Sequence, residues 1–579
     1  MKTKKEKFAY GFILHLFMFV QLVCRTLEVN GNMNWNVKNI SMFLGISALF
    51  TVFVVGTIYA TQIVIKKWFN KELNNVKDIK KNDNSKSGRL FFVSWFIIFL
   101  CWLPLFLAYY PGILAYDSGN QIGQIVNSSY NNHHPLIHTL IIAAFLKLGE
   151  LIGSMNVGIA IYTIIQMLCL SATMAIGIYL LGNRGVKRIW LGLLILYCGL
   201  CPVNSYMAVS MTKDVFFTVF VFLFVFTLLY LLGDEKHSRV WDVVYVCVTS
   251  IMMLFRNNGK YAMLVFLGLG FIMLFIEYMI NRKKEDGVNK KEITKKRKRI
   301  LYLLCETVIS LILSVFVLSG LDSMVASQEG DKREMLSIPI QQISRCMVYH
   351  GGLDIINGDD NTISEADKNL INEFILYDGY LKYDPFISDP VKICTNTSVV
   401  LNKMRDFISM YIRFAFDYPE EYINAFMEVN GGYLSVLDKT HSEVNLKEEI
   451  MGLGYLQTHW VEEVFKEIGI YKESKWPELY VVFEKFAGEN GYLELPIVRQ
   501  LVAPGMYLWC YILLGVWMAF RKEIIYQLPM FFISCYYATL LLGPTVQLRY
   551  LYPVMLLLPF FYLYISSCKR SSTSLMNSN

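Results

Sequence analysis

The stretch LFFVSWFIIFLCWLPLFLAYYPGILAYDSGNQ, residues 90–121, joins a long apolar run to a polar turn. The run 90–109 contains no charged side chain, and about 20 such residues in a helix cross the ~30 Å hydrocarbon core of a bilayer. Asp117 follows shortly afterwards. A carboxylate near the hydrocarbon boundary is costly unless it faces protein or water, so Asp117 is a candidate functional residue. The alternative is a solvated loop acid that caps the next helix.

The composition of the whole chain is that of a membrane protein. Of its 579 residues, 55% are hydrophobic and 17% are charged, and the mean hydropathy is +0.40. Aromatic residues make up 15%, which is typical of chains whose Tyr and Trp side chains lie at the headgroup level. The net charge of +7 is concentrated in short loops, which argues against a nucleic-acid partner. The 12 cysteines lack paired spacing, so we expect no disulfide framework and no zinc site.

Run length predicts an all-α polytopic fold with about twelve transmembrane helices. The candidate segments are 9–25, 41–66, 90–109, 157–181, 188–204, 214–233, 240–256, 260–281, 300–320, 500–520, 524–543 and 549–568. A thirteenth run, 135–152, is ambiguous, because it is long enough to span.

The distribution of Lys and Arg decides how the ambiguous run is interpreted. Loops rich in Lys and Arg should be cytoplasmic. If the N-terminus is cytoplasmic, all of these loops lie on the cytoplasmic side only when 135–152 makes no net crossing of the membrane. We therefore expect an interfacial or re-entrant helix at the outer surface. Both termini are then cytoplasmic, and the chain is a multi-pass protein of the cell membrane, with a bacterial plasma membrane as the expected location.

Four regions follow from this topology. Residues 1–89 hold two transmembrane helices and a basic loop, 90–320 form a transmembrane core with the outer loop 110–134, 321–499 form a large extracytoplasmic domain, and 500–579 hold the last transmembrane helices and a short tail. The 321–499 region has no spanning run. Three of its segments have helical spacing: EADKNLINEFI, PEEYINAFMEV and HWVEEVFKEIGI.

Histidines precede the ambiguous run. His133 and His134 adjoin Pro135, and two imidazoles before a proline-started helix suit a phosphate, a metal or a proton shuttle. His134 and His138 are spaced i,i+4, so one helical face could carry both. The alternative is a set of interfacial histidines. A zinc site is not expected, because neither an HExxH motif nor a third ligand lies nearby.

Charged side chains mark three further helix ends. Lys213 and Asp214 begin a predicted spanning helix, where an acid simply complements the helix dipole. Arg256 ends another, and Arg549 with Tyr550 begins the last. The planar fork of arginine suits a phosphate, while snorkelling toward water explains the same positions. The predicted topology nevertheless gathers these groups at one depth on the outer face, which suits a substrate that is half lipid and half polar.

At these residues the sequence resembles the GT-C superfamily of integral membrane glycosyltransferases. Within that superfamily it resembles a bacterial group of uncharacterised proteins related to the protein O-mannosyltransferases and the lipid A aminoarabinose transferases. Short stretches in a consistent order carry the resemblance: YPGILAYDSGNQ, HHPLIHTLIIAAFLKLG, SMTKDVFF, FRNNGKYA, SIPIQQISR, YPEEYINAF and QLRYLYP.

The resemblance implies a role for each candidate residue. Asp117 corresponds to the catalytic acid of the first outer loop, and Asp214 to a second acid. The remaining substrate-binding candidates are His133, His134, Arg256, Arg549 and Tyr550. The sequence departs from the family pattern in two ways. Two helices precede the helix that leads to Asp117, whereas familiar members have one. Ser118 also stands at the position where a second acid often follows the catalytic one. Whether a divalent metal, Mg or Mn, binds Asp117 and Asp214 is therefore left open.

The implied activity is transfer of a sugar from a polyprenyl-phosphate donor to a hydroxyl of a protein, lipid or glycan acceptor, with Asp117 as general base and inversion at the anomeric carbon. Two other classes stay open. A polytopic transporter or lipid flippase also has many helices with buried charges, although no internal repeat is evident. A polysaccharide polymerase or ligase would use outer arginines without needing the Asp117 loop.

Overall fold

The structure is a computed structural model. It describes residues 4–69, 87–114, 116–233, 238–281, 289–328, 330, 332–352, 361–437, 465, 467–487, 495–521 and 527–567. Every regular element in these ranges is a helix, and pairing between extended segments is limited to isolated bridges. The predicted all-α class is therefore confirmed.

The first twelve helices form most of the bundle. They are α1 Lys4–Asn30, α2 Val37–Phe69, α3 Ser87–Ala108, α4 Tyr116–Val126, α5 Leu136–Ile152, α6 Met155–Asn183, α7 Arg188–Leu200, α8 Pro202–Val209, α9 Lys213–Leu232, α10 Arg239–Phe255, α11 Asn257–Asn281 and α12 Asn289–Val325.

The shorter helices that follow are α13 Ser337–His350, α14 Glu365–Phe374, α15 Asp389–Ile393, α16 Thr397–Asn402, α17 Met404–Asp417, α18 Pro419–Val429, α19 Gly431–Leu434, α20 Pro477–Ala487 and α21 Pro496–Val502. Three helices then complete the bundle: α22 Pro504–Arg521, α23 Gln527–Leu540 and α24 Leu548–Ser567.

Eight helices in the described part of the chain are long and apolar enough to cross a membrane, and nine if α7 and α8, bent by 50°, form one span. The eight are α1, α2, α3, α6, α9, α11, α12 and α24. The protein is thus a helical membrane protein. The predicted segments 240–256, 500–520 and 524–543 also form helices, but these are shorter.

The bundle is organised around α9. Its sequence is apolar on every side, as expected of a helix in the centre of a bundle, and 78% of its apolar stretch is buried. It packs against α6, α10 and α24. Phe222 of α9, for example, lies edge-on to Phe560 of α24. By contrast, only 11% of the apolar stretch of α2 is buried, so α2 lies at the periphery.

The segment between α3 and α6 leaves and re-enters the bundle at one end. The two helices are antiparallel: Leu90 lies next to Gly182, whereas Pro111, just beyond α3, accepts a hydrogen bond from Thr163 near the start of α6. Between them, α5 packs closely on α6 where Gly149 meets Gly158. Residues 109–154 therefore connect two adjacent helix ends, and α4 and α5 lie within this connection.

A second apolar core is formed by the helices between α13 and α18. The predicted helices EADKNLINEFI and PEEYINAFMEV are confirmed as α14 and α18, while most of HWVEEVFKEIGI lies outside the described residues. Arg345 of α13 is buried here, with Nε 2.6 Å from Glu421 and Nη1 2.5 Å from Glu428. Its Nη2 donates to the Gly31 carbonyl, so the turn after α1 is fixed to this domain.

Candidate functional site

The start of α9 holds two charged residues. Thr212 caps the helix in extended conformation, and its hydroxyl accepts from the Asp214 amide at 3.4 Å. Asp214 is fully buried in the first turn, where a carboxylate complements the helix dipole. Lys213 stands at the same positive end, where a cation is unfavourable without an acidic partner.

That partner is Asp117. The backbone before α4 pairs in parallel with the backbone before α9, because Ile113 donates to the Val209 carbonyl and accepts from Met211. Ser118 then donates to the Met211 carbonyl at 2.9 Å. These bonds place Asp117 Oδ2 2.8 Å from Lys213 Nζ.

Arg549, at the start of α24, connects the two acids. Its Nη1 lies 3.2 Å from Asp117 Oδ2, and its Nε lies 3.9 Å from Asp214 Oδ2. The side chain is oriented by Gln547, whose Oε1 accepts from Nε at 3.0 Å. The guanidinium is almost completely buried, so it acts as a fixed cation between the two carboxylates.

Arg256 completes the group from the turn between α10 and α11. It is buried and ion-paired with Asp214. Its guanidinium carbon lies 3.9 Å from the centre of the Tyr550 ring, a position in which the ring face attracts a cation. In the described part of the chain, Arg256 Nε has no hydrogen-bond partner although it is buried. We call the five residues Asp117, Lys213, Asp214, Arg256 and Arg549 the ionic cluster.

The two adjacent histidines have different positions. His134 is buried beside the ionic cluster, with Nδ1 3.3 Å from Lys213 Nζ. Burial, together with Lys213, lowers the pKa of His134 to about 3, so this imidazole is neutral and accepts from the lysine. His133 is exposed, and its ring contacts that of His134 at 4.7 Å between centroids.

His138 does not share a helical face with His134, because α5 begins after Pro135. Its ring nitrogens bond instead to Gln121 Oε1 at 2.9 Å and to the Tyr162 hydroxyl at 2.7 Å. These contacts tie α4, α5 and α6 together beneath Asp117. His138 therefore supports the segment that carries the acid and takes no part in the ionic cluster.

The charge of Asp117 is set by opposing effects. Burial acts to raise its pKa, but Arg549 and Lys213 outweigh burial and hold the pKa of this carboxyl well below its usual range. Asp117 is consequently an anion at any physiological pH. Three cations surround two carboxylates in the ionic cluster, so the buried group carries one excess positive charge.

A divalent metal fits this arrangement poorly. Hard cations need several oxygen ligands, and both Asp117 and Asp214 already face side-chain cations at ion-pair distance. Among the described residues, no group of three His, Cys, Asp or Glu side chains has the spacing of a metal site. The excess charge of the ionic cluster is positive, which attracts an anion and repels Mg²⁺ or Mn²⁺.

Most of the predicted site residues are brought together. Six lie in or against the ionic cluster: Asp117, His134, Asp214, Arg256, Arg549 and Tyr550. Sequence reasoning assigned no role to Lys213, although one signal was present. A lysine in the first turn of a spanning helix opposes the helix dipole, which indicates an acidic partner elsewhere in the fold.

Comparison with known proteins assigns a family without an activity. A family model described as "Family of unknown function (DUF6020)" matches residues 125–578, and the chain belongs to that family. The match includes four residues of the ionic cluster and begins shortly after the fifth, Asp117. No curated protein and no solved structure matches the chain.

Proposed function

We propose that the protein is a membrane glycosyltransferase of GT-C type. It would move a sugar from a polyprenyl-phosphate donor to an acceptor hydroxyl at the outer face of a bacterial plasma membrane. The observation that carries the proposal is the ionic cluster, in which a buried carboxylate lies against fixed cations at the end of a membrane helix bundle. A base beside an anion site is what such a transfer needs.

The excess charge of the ionic cluster supports the class of donor. A sugar linked to a lipid through one phosphate is a phosphodiester with a single negative charge, which balances the single excess positive charge. A pyrophosphate-linked sugar would leave a buried negative charge. Arg256 Nε, which is buried without a partner in the described residues, is a donor available to a phosphate oxygen.

A place for the isoprenoid chain adjoins the same cations. On α9, which apart from the exposed Tyr230 is otherwise buried, a stripe of half-buried side chains descends from the ionic cluster at helical spacing: Lys213, Phe216, Phe220 and Leu223. The rings of Phe216 and Phe220 each stack on Phe255, the neighbour of Arg256. A lipid phosphate held by Lys213 and Arg256 would have its tail along this aromatic stripe.

The reaction then follows from the positions of the charges. The acceptor oxygen attacks the anomeric carbon as its proton passes to Asp117, and the bond between that carbon and the phosphate oxygen breaks. Attack from the face opposite the phosphate inverts the configuration. Arg549 and Lys213 stabilise the charge that grows on the leaving phosphate. Because the phosphate competes with Asp117 for these cations, donor binding raises the pKa of Asp117 toward the range of a useful base.

The proposed function goes with a proposed arrangement of the chain in the membrane. Twelve helices span the membrane, with α7–α8 as one bent span and α10, α22 and α23 as short ones. The α5 helix lies at the outer interface, and residues 321–499 are extracytoplasmic. The basic loops and both termini are cytoplasmic. Support comes from the order along the chain, in which the runs of Lys and Arg adjoin the helix ends opposite to those that carry the ionic cluster.

The decisive experiment offers purified protein in lipid nanodiscs a set of radiolabelled polyprenyl-phosphate sugars and polyprenyl-pyrophosphate sugars. We expect consumption of a monophosphate donor that Asp117→Asn abolishes. Consumption of pyrophosphate donors alone would overturn the donor class. No consumption of any donor, with lipid movement across vesicles by the same protein, would replace the proposal with a flippase. Chain extension of a lipid-linked glycan that survives Asp117→Asn would indicate a polymerase or ligase.

A further inference from the structure

A cleft of about 470 Å³ opens at His133, between three parts of the chain. One wall is the loop before α5, with Asn131 and His133. A second is the segment after α12, with Gln328. The third is α15 of the second core. The cleft therefore lies between the connection that carries Asp117 and the domain at the end of the bundle.

Backbone bonds hold the first two walls together. Gln328 donates its amide to the Tyr130 carbonyl at 2.9 Å and accepts from the Asn132 amide at 3.1 Å. The Asn132 side chain accepts from Gly330 at 2.6 Å. A Cβ on Gly330 would stand 2.8 Å from the His133 amide nitrogen, so the close approach needs glycine. The cleft is thus a built feature of the fold.

Side chains link the cleft to the proposed base. His133 lines it, and the His133 ring contacts the ring of His134. His134 accepts from Lys213 at 3.3 Å, and Lys213 pairs with Asp117 at 2.8 Å. A molecule in the cleft is therefore separated from the ionic cluster by two side chains, those of His133 and His134.

The lining has no net charge and combines polar groups with the exposed apolar side chain of Ile393. Lys392 pairs with Glu334 at 2.8 Å and with Asp389 at 2.5 Å, and the fourth charged group is Arg333, so two cations face two acids. Amides of Asn131 and Gln328 add both donors and acceptors. An anionic headgroup would need an excess of cations here. A set of hydroxyls satisfies donors and acceptors alike.

We infer that this cleft binds the acceptor and that the acceptor is a neutral glycan. That the bound glycan is the acceptor rests on the proposed function. That the cleft binds a neutral glycan does not. Of the protein, lipid and glycan acceptors that the resemblance leaves open, it selects the third.

The test measures binding before turnover. Protein in nanodiscs is applied to an array of neutral oligosaccharides and of oligosaccharides that bear uronic acid or phosphate groups, and donor binding is measured separately with radiolabelled polyprenyl-phosphate sugars. Gln328→Trp fills the cleft from an exposed position. Ser398→Trp is the matched control, because Ser398 is also exposed and lines a neighbouring cleft of about 570 Å³.

We expect neutral members to bind, with affinity about tenfold or more lower in Gln328→Trp and unchanged in Ser398→Trp, while donor binding is unaffected by either. Binding of anionic members only, or of no glycan by protein that binds donor, would overturn the inference and leave the proposed function intact. The protein could also bind glycan but no donor. If Gln328→Trp blocked that binding, the cleft would be confirmed as a glycan site and the proposed transferase activity would be rejected.

Discussion

Arg549 Nη1 lies 3.2 Å from Asp117 Oδ2, so the start of α24 supplies the cation for a carboxylate carried by α4. The same guanidinium reaches Asp214 at 3.9 Å. One arginine therefore fixes the relative positions of the proposed base and of the acid that holds Arg256. The ionic cluster is a single unit drawn from four helix ends.

Asp117→Asn keeps the shape of the side chain but removes the base. We expect transfer by Asp117→Asn to fall by about 10²–10⁴, the usual contribution of general base catalysis, with donor binding retained. The measurement is kcat and the donor KM with radiolabelled donor. Asp367→Asn is the control, because Asp367 of α14 pairs with Arg413 outside the ionic cluster. Equal losses in both variants would contradict the catalytic role.

The pKa of Asp117 predicts a shift in pH dependence. The folded pKa lies below the usual 3.8, so the carboxylate form, and the stability it contributes, are complete above 3.8 and are lost as pH falls through the lower folded value. Lys213→Met removes one cation and raises that pKa. We expect the acidic limb of kcat, which reports the donor-bound enzyme in which the pKa of Asp117 is raised, to move to higher pH in Lys213→Met, measured between about pH 4 and pH 9.

The pH at which the acidic limb lies is the quantity to compare, and the absolute rate is not, because Lys213→Met also weakens binding of the donor phosphate. Lys147→Met serves as the control, because Lys147 pairs with Glu150 on the exposed face of α5. An acidic limb that stays in place in the Lys213 variant would show that the lysine does not set the charge of Asp117.

Replacement of Arg549 separates charge from geometry. Arg549→Ala should lower transfer by about 10²–10³, as expected for loss of one group that stabilises developing charge. Since this variant leaves two buried acids with fewer partners, Arg549→Lys is the second variant. Lysine keeps the charge but lacks the planar fork, so we expect an intermediate rate in a folded protein. Full activity of Arg549→Ala would remove Arg549 from the mechanism.

Arg345 predicts a purely structural effect. Its side chain is buried between Glu421 and Glu428, and burial raises the pKa of Glu428 to about 7 even beside the arginine. Arg345→Ala removes the cation that the two buried acids share and leaves Glu421 with His350 at 3.4 Å, a change that typically costs about 3–5 kcal/mol. We expect a clear loss of thermal stability in nanodiscs. Arg413→Ala, which breaks an exposed pair with Asp367, should change stability by less than about 1 kcal/mol.

Helix positions were predictable where an apolar run sets the length. The predicted segments 90–109, 214–233 and 549–568 agree within a few residues with α3, α9 and α24, because the hydrocarbon thickness fixes how many apolar residues occur together. The predicted spanning segment 300–320 lies within the candidate span Arg297–Val325. Its helix, α12, begins earlier, at Asn289, since lysine, arginine and glutamate are good helix formers.

The membership of the ionic cluster was partly predictable. The predicted topology put Asp117, Asp214, Arg256 and Arg549 at one depth on one face. A common depth does not show which of these side chains form ion pairs. The contact of Lys213 with Asp117 depends on the short parallel pairing of Ile113 with Ser210, and no periodic pattern encodes such a bridge. The burial of Arg345 was equally hidden, because its acidic partners lie in α18, far along the chain.

The origin of Arg549 in α24 has a consequence for biosynthesis. A ribosome makes α4 and α9 long before α24, so the nascent chain holds Asp117 and Asp214 without the guanidinium that lies between them. Until α24 inserts, Lys213 and Arg256 are the cations that pair with the two acids, so the charges of this group are balanced. The excess positive charge that would attract an anion is therefore acquired only when the last described helix enters the bilayer.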